Sequence, residues 1–167
     1  MIRVSRRMIR GMKSLRDHLL DLYQVEHAHP LFDRAVDDMP APLRGRRPDN
    51  FPHSVWELVE HIRISQWDIL EYVLDPKHVS PDWPSGYWPK SPAPDDDAAW
   101  NSSVNAARAD IARFAALIKD ESNDLLAPVS FANNATFLRQ ILMNADHNAY
   151  HIAQIVTVRR ILGAWKS

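Results

Sequence analysis

The sequence predicts an all-α fold: a four-helix bundle with a long Pro-rich loop between its second and third helices. Three observations predict it. Apolar residues recur at a helical period in long segments, each segment opens on an N-terminal capping signal, and no two segments show the alternation of a strand pair. The last segment is the clearest. Phe137, Ile141, Asn144, Asn148, His151, Ile155, Val158 and Leu162 follow alternating steps of four and three, the spacing of side chains that face a neighbouring helix.

The first helix is expected from about Ser14 to Asp38. Ser14 and Asp17 make an S-x-x-D start signal, and Leu15, Leu19, Leu22, Tyr23 and Val25 supply the apolar face. Pro30 lacks an N–H and restricts the residue before it, so a kink or a break is expected near His29. Residues 39–53, rich in Pro and Arg, read as a loop. Ser54 and Glu57 form a capping box for the second helix, whose period runs through Val55, Leu58, Val59, Ile62, Ile69 and Val73 and stops before Pro76. The connection that follows carries Pro76, Pro81, Pro84, Pro89, Pro92 and Pro94. Loops of this length inside a compact domain are commonly functional. The third helix starts at the Asp95–Asp97 run, where carboxylates suit the positive end of the helix dipole, and continues to about Lys119. Asn134 or Thr136 caps the fourth, which extends to about Leu162 before Gly163.

Composition sets outer bounds. A chain of 167 residues fits one domain with a core of its own, assigned to residues 14–167 behind a basic tail over 1–13. The tail holds Arg3, Arg6, Arg7, Arg10 and Lys13 and no acid. The body carries the other 15 of the 20 basic residues against all 21 acidic ones. An acidic body without a basic stripe argues against nucleic acid as a partner. Such a tail can contact nucleic acid or lipid, but it is expected to be a frayed leader, or the product of a start ahead of Met8 or Met12. No run approaches the roughly 18 apolar residues of a membrane span. No apolar stretch follows the tail's charges as in a secretory signal. The absence of Cys excludes disulfides, Cys-zinc sites and a thiol nucleophile from the protein itself, and a cytoplasmic location is expected.

Function is signalled by the polar middle of the last seam. Asn144, Asn148 and His151 interrupt an otherwise apolar row, and His147 lies one turn before His151 on the same side. Buried polar groups are costly unless something satisfies them. Imidazoles at i and i+4 can converge on one ion, since a helical turn rises about 5.4 Å. The spacing alone carries little, because eight His in 167 positions give roughly 0.3 such pairs by chance. A His151 hydrogen-bonded to Asn144 or Asn148, with His147 partly exposed, accounts for the pair equally well. A metal site also needs a ligand from another helix, and His18, His27, His29, His53, His61 and His78 are the candidates. Composition does not choose among them.

HSVWELVEHIRISQWDIL, followed much later by ADHNAYHIAQI, resembles the DinB-like superfamily of bacterial four-helix-bundle metal proteins. The pattern has one His in mid-helix two, then an H-x3-H pair on helix four followed by Gln and an aliphatic residue. His61, then His147 and His151, with Gln154 and Ile155, stand at those positions. The resemblance covers most of the chain, from helix one to helix four. Ala153 departs from it, because a Gly often precedes that Gln. It implies a divalent ion, Zn or Ni foremost, held by His61, His147 and His151. It also implies a metal-dependent enzyme of the thiol S-transferase or hydrolase type, acting on a small molecule, in some members with a low-molecular-weight thiol cosubstrate. The alternative is a non-catalytic binding or structural protein in which the ion cements helices two and four.

Other residues are expected around such a site. Asn144 and Asn148 can orient the ligand imidazoles. His53 stands near the pocket mouth as either a general base or an ordinary loop residue. Trp83, Tyr87 and Trp88 either roof an apolar substrate pocket or meet a second copy of the chain in a homodimer. Glu57 is expected in its capping box, Glu60 on a solvated face, and Tyr150 packed against a neighbouring helix. No residue is assigned a catalytic role.

Overall fold

The structure, a computed structural model, describes residues 14–129 and 135–166. The basic tail over 1–13 and Asn134 lie outside the described residues. Five helices are present among those residues: α1 (Leu15–Gln24), α2 (Phe32–Val36), α3 (Val55–Leu74), α4 (Asp97–Lys119) and α5 (Phe137–Ile161). No strand occurs among them, only an isolated bridge between Pro128 and Thr136.

This is the all-α bundle the periodicity predicts, with its first helix in two pieces. Ser14 and Asp17 close their capping box, but α1 ends at Gln24 and helix resumes only after Leu31. The break is wider than a kink at Pro30. Glu26 holds its far side by accepting from the Leu31 amide at 3.0 Å and from Arg34 at 3.1 Å. The remaining starts follow their signals. Ser54 and Glu57 form a capping box for α3, Asp96 accepts from the Ala99 amide at 2.7 Å, and Thr136 accepts from the Arg139 amide at 3.2 Å. No helix among the described residues is long and apolar enough to cross a membrane.

α3 packs against both α4 and α5, α1 lies against the same two, and α2 lies against α5. The core divides into two apolar clusters. One gathers Phe32, Met39, Trp56, Ile62, Trp100 and Ile155; the other gathers Leu19, Tyr23, Leu70, Phe114, Ile118 and Ile141. Between them lies a polar layer. Gln66, fully buried on α3, donates to the Ala107 carbonyl of α4 at 2.8 Å and accepts from Asn148 of α5 at 2.7 Å. The interruption in the seam of α5 is therefore this layer seen in one helix. Each group in it costs about 1–3 kcal/mol if left without a partner, so the layer holds three helices in one register.

The Pro-rich connection folds back over α3. Asp68, buried on that helix, is met by His78 Nε2 at 2.7 Å on one oxygen and by the Tyr87 hydroxyl at 2.7 Å on the other. Around a short 3-10 turn at Ser85–Tyr87 the loop doubles tightly, and a Cβ on Gly86 would stand 2.7 Å from Pro81 Cβ. The loop thus presents Tyr87 and Trp88 to the middle of α3.

Candidate metal centre

α3 and α5 bring three imidazoles to one point in the polar layer. His61 projects from mid-α3, and His147 and His151 from successive turns of α5. The ligating nitrogens of the three lie within 4.8 Å of one another. His61 Nε2 and His147 Nε2 are 3.1 Å apart. His61 and His151 are buried and His147 is half-buried.

The outer nitrogens show which lone pairs face inward. His61 Nδ1 stands 2.8 Å from the Tyr87 carbonyl, which can only accept, so Nδ1 carries the proton. His151 Nδ1 stands 2.7 Å from Gln154 Oε1 and donates to it in the same way. In the neutral tautomers that result, both Nε2 atoms offer lone pairs to the same space. Among the described residues, His147 Nδ1 is buried without a hydrogen-bond partner.

Electrostatics favour that neutral state. Burial pushes the pKa of His61 down to about 4; the Tyr87 carbonyl pulls the other way, and the neighbouring His147 and His53 lower it further. Burial likewise lowers His151 to about 4, helped by His147 and His61 and opposed by Gln154. His147 is lowered too, chiefly by burial. Three neutral imidazoles with converging lone pairs repel one another less when a cation lies between them. This donor set fits a divalent ion, and its nitrogen ligands suit Zn, Ni, Cu or Fe rather than Mg or Ca.

Trp88 closes one side. Its ring stacks on His61 at 3.9 Å between centroids and 2° between planes, and His53 stacks on the same indole at 4.2 Å and 12°. Trp88 also meets the His151 ring nearly edge-on at 6.3 Å. His53 therefore stands behind the indole, with its pKa lowered by burial.

The sequence pattern of the DinB superfamily matches residues 24–155. The chain belongs to that superfamily. No curated protein matches the chain. No solved structure matches it either.

The expected residues are distributed unevenly. His61, His147 and His151 converge, Trp88 lies on His61, and Tyr87 contributes its main-chain carbonyl to the cluster and its hydroxyl to Asp68. Trp83 points outward, 78% exposed, and touches Tyr87 edge-on at 5.5 Å. Asn148 binds Gln66, and Asn144 is fully buried beside it. His18, His27 and His29 are exposed, and His78 is engaged with Asp68. Two expectations are corrected. Glu60 is buried, because the first half of α3 is covered on all sides, and it binds Arg63 at 2.7 Å and Ser103 at 2.5 Å. Tyr150 is 64% exposed, on a face of α5 left uncovered among the described residues, with its edge against His151 at 4.9 Å. Gln66 and Asp68 carry contacts not expected from the sequence. A polar residue between Ile62 and Ile69, on the apolar face, is the signal that would have found Gln66.

Proposed function

We propose that this DinB-superfamily chain holds one divalent ion, Zn or Ni foremost, on His61, His147 and His151. On this reading it is a metal-dependent enzyme of the thiol S-transferase or hydrolase type acting on a small molecule. The observation that carries the proposal is the convergence of three neutral imidazoles, two of which, His61 and His151, have their outer nitrogens fixed by the protein. Three protein ligands are the pattern of catalytic sites, which keep a position open, whereas structural sites take four. The ion would supply Lewis acidity, enough to keep a nucleophile, water or a thiol, deprotonated near neutral pH.

The chain's own residues do the rest. The Tyr87 carbonyl and Gln154 fix the tautomers and orient the rings. Trp88 covers His61 and limits water on that side. The absence of Cys is compatible with a thiol that arrives as a cosubstrate. Elemental analysis of the purified protein, with a screen of thiols against electrophiles and of hydrolysable esters, tests the proposal. One ion per chain and turnover lost on stripping support it. A bound ion without any turnover favours the structural alternative.

A further inference from the structure

A cavity of about 340 Å³ opens between α3 and α5, away from the three histidines, and Asp68, Ile69, Tyr72, Arg139, Gln140 and Met143 contribute to its wall. That volume is in the range that takes a small ligand. Two of its polar side chains, the buried Gln140 and the exposed Arg139, have no oxygen partner among the described residues. Gln140 is only 3% exposed, yet its amide makes no hydrogen bond among the described residues and opens on the cavity. Arg139 makes no ion pair among them, and its guanidinium approaches only the Met143 sulphur, at 3.8 Å. It also stands in the first turn of α5, where the positive end of the helix dipole disfavours a cation. Asp68 cannot serve as its partner without losing others, since both its oxygens are held by His78 and Tyr87.

The same two helices, α3 and α5, carry the cavity's polar residues and the three histidines. Asp68 lies two turns beyond His61 on α3, and Gln140 lies two turns before His147 on α5. At a rise of 1.5 Å per residue both separations are about 10 Å. Arg139 and Gln140 together present a guanidinium fork and an amide, donors suited to a planar acceptor pair. The Asp68 charge on the same wall disfavours a dianion.

We propose that this cavity binds the carboxylate of a small organic monoacid, with Arg139 as the cation and Gln140 as its amide partner. The acid's far end then reaches the three-histidine cluster. This second part rests on the reading of that cluster as a metal-dependent enzyme site, and names its substrate class.

The full chain, stripped of metal, is titrated with sodium hexanoate, hexan-1-ol and inorganic phosphate, followed by amide chemical shifts. Hexanoate is expected to bind saturably, about tenfold more tightly than hexan-1-ol, with shifts centred on residues 139 and 140. Arg139→Gln removes that preference while its thermal melt stays normal, and Arg139→Lys restores part of it. No saturable hexanoate binding, an unchanged preference in Arg139→Gln, or tighter binding of phosphate overturns the carboxylate site. In the Zn-loaded protein, 6-mercaptohexanoate is expected to bind more tightly than both hexanoate and 6-mercaptohexan-1-ol. A gain over hexanoate that ignores Arg139 keeps the metal centre and removes the cavity from its substrate. Arg139-dependent hexanoate binding with no gain from the thiol keeps the cavity and overturns its link to the metal.

Discussion

Replacing Tyr87 by Phe isolates the link between the Pro-rich loop and the histidine cluster. The substitution removes one hydroxyl, whose partner is the buried Asp68 at 2.7 Å, and leaves the Tyr87 carbonyl on His61 in place. A hydrogen bond to a charged group contributes about 1.5–3 kcal/mol, and the half-buried position of Tyr87 favours the lower end. A loss of about 1.5 kcal/mol lowers the melting temperature by roughly 3–6 °C in a domain of this size. The metal affinity is affected as well, because the hydroxyl pins the turn that aims the carbonyl. Changes in the groups that orient metal ligands cost about 10–100-fold in affinity, and an indirect one belongs near tenfold. Thermal melts of the stripped protein and competition with a zinc chelator read the two effects separately. A lowered melt with unchanged zinc affinity would show that the latch serves the loop alone. If neither moves, the Asp68–Tyr87–His61 link is refuted.

Three further outcomes are expected. Gln66→Leu leaves the Asn148 amide without its partner in the polar layer and is expected to lose about 2 kcal/mol in urea unfolding; an unchanged midpoint contradicts the layer's role. Ile155→Ala, at a fully buried seam position, is expected to cost about 2–5 kcal/mol, and a loss well under 1 kcal/mol would place the seam outside the core. The stripped protein is expected to lose stability as pH falls below 6.5, where the unfolded chain takes up protons that His61 and His151 refuse until about pH 4; melts independent of pH across that window contradict the lowered values.

Much of the bundle was legible because its signals are local. The Ser54–Glu57 capping box lies within one turn, and the seam of α5 shows its buried face through side-chain type alone. The polar gap in that seam was visible, but its meaning was not: Asn148 binds Gln66 across the bundle, and one helix does not report what opposes it. The same limit applied to the third histidine. Nothing in composition distinguished His61 from five others, and only resemblance to a family selected it. The support behind the histidines was hidden for another reason. His61 leans on the main-chain carbonyl of Tyr87, an atom every residue has, and its position depends on how the Pro-rich loop over 75–96 folds back. Trp88 is expected from the sequence either over a pocket or in a dimer contact, and its stacking between His53 and His61 follows from that same path. Glu60 and Tyr150 were misplaced because periodicity on one helix cannot tell how many neighbours will cover it.

X-ray absorption at the zinc edge, on protein loaded with one equivalent of Zn²⁺, tests the central claim most directly. Coordination by His61, His147 and His151 predicts three imidazole nitrogens at about 2.0–2.1 Å plus a non-protein light-atom ligand, falling to two imidazoles in His61→Ala. A shell with fewer than three imidazoles, or one unchanged by His61→Ala, would contradict it.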